Sequence, residues 1–167
     1  RFSGFNGGAA VIYKGSAVAL IDAKGKLVVG YNKYENIGIV APQSKNSKPQ
    51  EINLGEVSSF NTGFFTAGYP NTVVLNAKGK IIANGNPSKG AVNNGKYLQI
   101  GMSFYDINGT KFSPLKQYEG VIDVNDDIIL KMKPGNSSNE KSHYSYCKIT
   151  GEAITSDDFD EAYRFSD

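Results

Sequence analysis

The sequence predicts an all-β protein, an antiparallel sandwich or barrel built from hairpins, with at most one short helix at the C-terminus. Three observations predict it. The turn core Asp22-Ala23-Lys24-Gly25-Lys26 recurs as Asn76-Ala77-Lys78-Gly79-Lys80 and, with the same internal spacing, as Asp106-Ile107-Asn108-Gly109-Thr110. Apolar or aromatic residues flank each turn, as Val18-Ala19-Leu20-Ile21 and Leu27-Val28-Val29 flank the first. All six prolines fall at run boundaries or in loops, where a missing N–H breaks no strand ladder.

The turns follow from local chemistry. Asp or Asn at the first position accepts a bond from the backbone two residues on, and Gly three residues later supplies the positive φ of a type I turn closed by a bulge. Gly25, Gly79 and Gly109 are therefore the expected structural turn residues. Strand-like runs cover Ala9–Lys14, Val18–Asp22, Lys26–Tyr31, Ile37–Val40, Ile52–Phe60, Gly63–Ala67, Thr72–Asn76 and Lys80–Ala83. Segment Ala41–Glu51, with Pro42 and Pro49, has loop composition. Lys96–Tyr105 alternates strictly, so Leu98, Ile100, Met102 and Phe104 should form one buried face of a single long strand. Val121–Val124 and Ile128–Met132 are separated by Asn125-Asp126-Asp127, and His143–Ile149 alternates weakly. Outside their turn cores the two Ala-Lys-Gly-Lys halves do not match, and the third turn is off-period, so the similarity reads as convergent turn chemistry. Only Thr155–Phe165 looks helical, with Thr155 and Asp158 as a capping box and Phe159, Ala162 and Tyr163 on one face.

At 167 residues, 40% hydrophobic and 20% charged, the chain is expected to form a single β domain over 1–154 and a docking acidic-aromatic segment over 155–167. No apolar stretch approaches the roughly 20 residues of a membrane-spanning helix. Cys147 is the only cysteine, so an intrachain disulfide is impossible. The start at Arg1 reads as a processed or trimmed terminus. Charge is unevenly spread: residues 1–151 carry 17 Lys/Arg and 10 Asp/Glu, a balance of +7, whereas 152–167 carry six acids and Arg164, a balance of −5. The cations are almost all lysine, which argues against base readout by bidentate arginine.

The sequence contains no catalytic constellation. His143 is the sole histidine, which removes metal sites built from several His or Cys, and it shares a strand face with Cys147. Asp123, Asp126 and Asp127 lack the glycine and terminal Glu of a calcium loop and read as a solvated turn. Neither a nucleophile elbow nor a phosphate-binding Gly-Lys loop occurs. The expectation is a protein that is not an enzyme, with no metal and no cofactor.

Ten Tyr and nine Phe remain to be placed. Tyr31, Lys33, Tyr34, Phe64, Phe65 and Tyr69 form the set that would stack bases beside lysines in a nucleic-acid binder. The stretch Asp157-Asp158-Phe159-Asp160-Glu161-Ala162-Tyr163-Arg164-Phe165 resembles the acidic, aromatic-tipped tails of phage and bacterial single-stranded DNA-binding proteins. Thr72–Tyr105 is similar to the second half of their OB-type domain. That resemblance implies a cytoplasmic protein whose tail competes with DNA and recruits partners. The leading expectation is different: a non-catalytic structural module on a virion or extracellular surface. It would self-associate or join other structural proteins through strand edges and through Phe159, Tyr163 and Phe165. A third expectation is a carbohydrate-binding adhesin using exposed Tyr and Asn.

Overall fold

The structure is a computed structural model that describes residues 3–41, 61–88, 91–92, 95–137, 140–156 and 158–165. The expected strand at Ile52–Phe60 and most of the loop at Ala41–Glu51 lie outside the described residues. The fold is all-β. Among the described residues thirteen strands form four antiparallel sheets, and there is no helix. The chain divides into two compact units, Arg1–Ile100 with Tyr105–Thr110 and Gly101–Phe104 with Lys111–Asp167.

In the first unit, β1 (Ala9–Lys14), β2 (Ala17–Asp22) and β3 (Leu27–Val29) make one sheet. A second sheet runs β4 (Ile37–Ile39), β5 (Phe64–Ala67), β6 (Val73–Asn76), β7 (Ile81–Asn84) in that order. Its strands carry consecutive apolar residues because both of its faces are buried. Pairing of Phe65 with Leu75 and of Ala67 with Val73 fixes one face. That face packs with Val11, Val18, Leu20 and Val29 of the first sheet into one core. Phe64, Val74, Ile82 and Ala83 build a second core with Leu98, against which Ile100, Tyr105 and Ile107 pack.

A polar staple closes this unit. Asn6 is wholly buried; its Nδ2 donates to the Phe64 carbonyl at 3.0 Å, and its Oδ1 accepts from the Gly63 amide at 2.9 Å. Nothing in the sequence pattern distinguishes Asn6 from the other asparagines.

The alternating stretch Lys96–Tyr105 is two strands rather than one. β8 (Tyr97–Ile100) and β9 (Ser103–Asp106) join through Gly101 and Met102, with Gly101 at φ 58°, and β10 (Lys111–Phe112) completes a sheet ordered β10-β9-β8. A glycine with positive φ at the first central position lets two residues reverse the chain. The expected single face therefore fails. Leu98 and Phe104 are fully buried, but Met102 sits on the turn, 44% exposed, and Phe104 takes no part in the Leu98 cluster.

In the second unit β11 (Gly120–Asn125), β12 (Ile128–Lys133) and β13 (His143–Lys148) form a meander. Asp126 and Asp127 make the tight turn expected there, with Asp126 at φ 49°.

The turn expectation holds in detail. Gly25, Gly79 and Gly109 have φ of 80°, 73° and 90°. Their amides donate to the carbonyls of Asp22, Asn76 and Asp106 at 3.0, 2.8 and 3.0 Å. In each turn the first residue's Oδ1 accepts two amides: Lys24 and Lys26 at Asp22, Lys78 and Lys80 at Asn76, Asn108 and Thr110 at Asp106.

The equivalence extends further than the sequence suggests. Beyond the first turn, Ile21 pairs with Leu27 and Leu20 with Val29, leaving Val28 over as a bulge. Beyond the second, Leu75 pairs with Ile81 and Val74 with Ala83, leaving Ile82 over. A fourth copy, Lys148-Ile149-Thr150-Gly151-Glu152, escaped the sequence pattern because Lys148 replaces the Asx. Gly151 there has φ 94° and its amide reaches the Lys148 carbonyl at 2.8 Å. Cys147 bridges Ala153, and the Tyr146 carbonyl takes the amides of both Ile154 and Thr155. The hairpin is thus a recurring unit at unequal sequence intervals, since the connections between copies differ in length.

Candidate functional site

In the first unit, successive hairpins are seated turn against bulge. A Cβ at Gly79 would lie 2.7 Å from the Val28 carbonyl oxygen, and one at Gly109 would lie 3.3 Å from the Ile82 Cα. At Gly79 only glycine permits so close an approach, and at Gly109 a side chain would need its neighbour to give way slightly. The second turn residue fills the neighbouring core: Ala77 packs on the first cluster and Ile107 on the second. Asn76 Nδ2 bonds the Ile107 carbonyl at 3.1 Å, and Lys80 Nζ bonds the Asn108 carbonyl at 3.2 Å.

Lys24 and Lys26 of the first turn and Lys78 and Lys80 of the second are all exposed. Asp22 Oδ1 accepts two backbone amides. Each Lys-Gly-Lys motif was visible in the sequence, but the seating of the second turn against Val28 was not.

The second surface is the C-terminal segment, and here the helical expectation is overturned. Phe159 pairs with Tyr144 as an antiparallel bridge, with amide-to-carbonyl bonds of 2.7 and 2.8 Å in the two directions. The Thr155 hydroxyl is not a helix cap; it accepts the Tyr146 amide at 3.2 Å. The segment runs along the open edge of β13, where unpaired strand groups outcompete the single turn that an isolated short helix would gain. Tyr146 receives Phe159 and Phe165 edge-on, with ring centroids 6.4 and 5.7 Å apart. The Phe165 amide donates to Asp123 Oδ2 at 3.1 Å. His143 Nδ1 lies 3.5 Å from Asp160 Oδ1. Of the three expected interface residues, Phe159 and Phe165 meet their partner within the second unit, and Tyr163 is left 84% exposed.

The residues expected to stack bases are dispersed by burial. Phe64 and Phe65 are fully buried in opposite cores and present no ring to a ligand. Strictly adjacent strand residues must face opposite ways, and here both ways lead inward. Tyr34 packs on the first core with Lys33 Nζ 5.7 Å from its ring centre, and Tyr31 is half-buried. Only Tyr69 stands out, 76% exposed, on the rim of an open cleft of about 320 Å³. Asn36, Gly38, Thr66, Thr72 and Asn86 also line it, and all are uncharged.

The titrating groups serve structure. Asp106 is partly desolvated, which alone would raise its pKa, but bonds from Thr110, Asn108 and Gly109 hold it below the ordinary carboxylate value. Glu119, likewise opposed by desolvation, is lowered by the Lys116 amide and by Lys131, whose Nζ is 2.9 Å away. Burial pushes the Cys147 thiol up. Among the described residues no three His, Cys, Asp or Glu gather into a metal-binding set. No described helix is long and apolar enough to cross a membrane. Comparison with protein-family models, with curated proteins and with solved structures returns no match.

Proposed function

We propose that this chain is a non-catalytic assembly module, displayed on a virus particle or an extracellular surface, that works through protein contacts at strand edges. The observation that carries the reading is the capture of an extended segment on β13 by paired backbone bonds and a Tyr146 aromatic contact. Strand addition of this kind takes its affinity from the main chain and its selectivity from alternate side chains. The recurring hairpins supply further strands with apolar rims, since Leu27 and Ile81 occupy equivalent positions and are each 47% exposed.

The test is deletion of residues 155–167, followed by sedimentation and by titration with oligo-dT. The assembly reading expects loss of oligomer or of stability and no gain of nucleic-acid affinity. A single-stranded nucleic-acid binder expects the reverse, because truncation removes five acids and one arginine, four net negative charges, from a basic body. Tighter oligo-dT binding with unchanged sedimentation overturns the proposal. The exposed lysines of the first two turns favour that second reading, and the burial of Phe64 and Phe65 counts against it.

A further inference from the structure

We infer that the open cleft beside Tyr69 in the first unit is a binding site for a neutral saccharide. The inference goes beyond the assembly reading and does not depend on it. The cleft lies where one face of the second sheet changes from apolar to polar. Gly38, Thr66 and Val74 are successive cross-strand neighbours on β4, β5 and β6. Val74 is fully buried in the second core, whereas Thr66 is half-buried and Gly38 is exposed. A Cβ at Gly38 would lie 3.0 Å from Thr66 Oγ1, so the missing side chain is what leaves that hydroxyl uncovered. Among the described residues no buried side-chain oxygen goes without a partner, and the unbonded Thr66 hydroxyl therefore faces solvent.

Asn36 and Asn86 line the cleft as well, both exposed and neither with its carboxamide bonded among the described residues. A carboxamide offers two donors and an acceptor, and a hydroxyl offers one donor and two lone pairs. Adjacent sugar hydroxyls, each donor and acceptor at once, match such a set without carrying charge. No lining residue is charged, which disfavours phosphate, carboxylate or ammonium ligands, because a charge leaving water needs a partner. Tyr69 supplies the apolar element. It is 76% exposed, on a turn held by four bonds. The Gly68 amide donates to the Asn36 carbonyl at 3.3 Å, and Thr72 Oγ1 donates to the Gly68 carbonyl at 3.3 Å. The Thr72 amide reaches the Pro70 carbonyl at 3.1 Å, and the Gly85 amide reaches the Thr72 carbonyl at 2.8 Å, which fixes the chain next to Asn86. An aromatic residue on an ordered turn adds contact area at little ordering cost, and its electron-rich face suits the C–H face of a pyranose. The volume of about 320 Å³ lies at the low end of the range of about 300–1,000 Å³ for small-molecule sites, which suits a short saccharide.

The test is nuclear magnetic resonance titration of the isotope-labelled full chain. The probes are neutral trisaccharides of glucose, mannose, galactose and N-acetylglucosamine, with trigalacturonate as the charged comparator, each up to about 10 mM, which fills even a millimolar site. At least one neutral trisaccharide is expected to shift the amides of Gly38, Thr66, Tyr69 and Asn86, and to do so equally at about 50 and about 300 mM salt, since no charge is involved. Tyr69→Ala should weaken that binding at least about tenfold, and Tyr69→Phe should retain it, because the ring makes the contact. Asn86→Ala should weaken it as well. Both residues are exposed, so thermal unfolding should match the wild type and separate lost binding from lost fold. No shift with any neutral trisaccharide, shifts confined to other residues, full binding by Tyr69→Ala, or stronger binding of trigalacturonate each overturns the inference and leaves the assembly reading as it stands.

Discussion

The two units bury their strands in different ways. In the first, the central sheet β4–β7 is covered on both faces, and large apolar side chains such as Phe64, Phe65, Leu75 and Val74 lose all contact with solvent. In the second, every residue of β11 remains partly exposed, and the outer edge of β13 is covered by a short acidic segment with two aromatic contacts and backbone pairs. The ion pairs Lys131–Glu119, Lys148–Glu152 and His143–Asp160 add to the hold on this unit. Interior packing is non-directional and tolerates salt, whereas edge pairing and ion pairs are local and screened. The difference teaches that the same hairpin can be stabilised either by stacking on its neighbour or by recruiting a passing segment.

The largest effect should come from the stacked core. Phe65→Ala is expected to cost about 3–5 kcal/mol, read from denaturant unfolding, since it empties a fully buried site. In hydrogen exchange the loss should fall on β1–β7 and spare β12 and β13. Equal deprotection of both units would erase the contrast.

Asn6→Ala should follow, at about 1–3 kcal/mol, because it orphans the buried Gly63 amide and Phe64 carbonyl. A silent substitution would show that water replaces the side chain.

The stacking of turns is sharpened by comparing two glycines with the same backbone. Gly25→Ala meets open space and should cost about 1–2 kcal/mol for its positive φ alone. Gly79→Ala adds a clash with the Val28 carbonyl and should cost distinctly more by thermal unfolding. Equal losses would remove the close approach from the account.

The smallest effect is acid sensitivity. Asp106 in the first unit and Glu119 in the second both have folded-state pKa values below their usual 3.8 and 4.5. Each therefore adds stability that is present above the unfolded pKa and is lost as pH falls through the folded value. Asp106→Asn should keep the turn, as Asn76 keeps its own with the same two amide bonds, and should flatten the acid limb of stability against pH. Glu119→Gln should flatten it as well and also weaken the hold on Lys131. An unchanged acid limb in both variants would dismiss these carboxylates as its source.

Much of the fold was legible because turns are short-range chemistry. Asx at one position and Gly three later determine a hairpin within five residues, the extents of β1 and β2 follow closely from the apolar runs beside them, and β13 from a weak alternation. Two signals misled. Strict alternation across Lys96–Tyr105 concealed the reversal at Gly101, since a two-residue turn leaves the apolar–polar rhythm intact. The helical spacing of Phe159, Ala162 and Tyr163 was read without the edge of β13, and unpaired N–H and C=O groups there decide the conformation. The proposed surfaces were less legible than either, because they join positions far apart in the chain.

By itself, then, the sequence determined the all-β class, the antiparallel hairpins and the positive φ of Gly25, Gly79 and Gly109, all consequences of forces acting over a few residues. Tertiary structure alone decided which aromatics are buried and that turns stack on the bulges of other hairpins. It also decided that Phe159 pairs with the edge of β13 rather than lying on a helix. Burial, close approach and edge pairing depend on what lies opposite a residue in space, and a linear pattern carries that information only where the partner is also a neighbour in sequence.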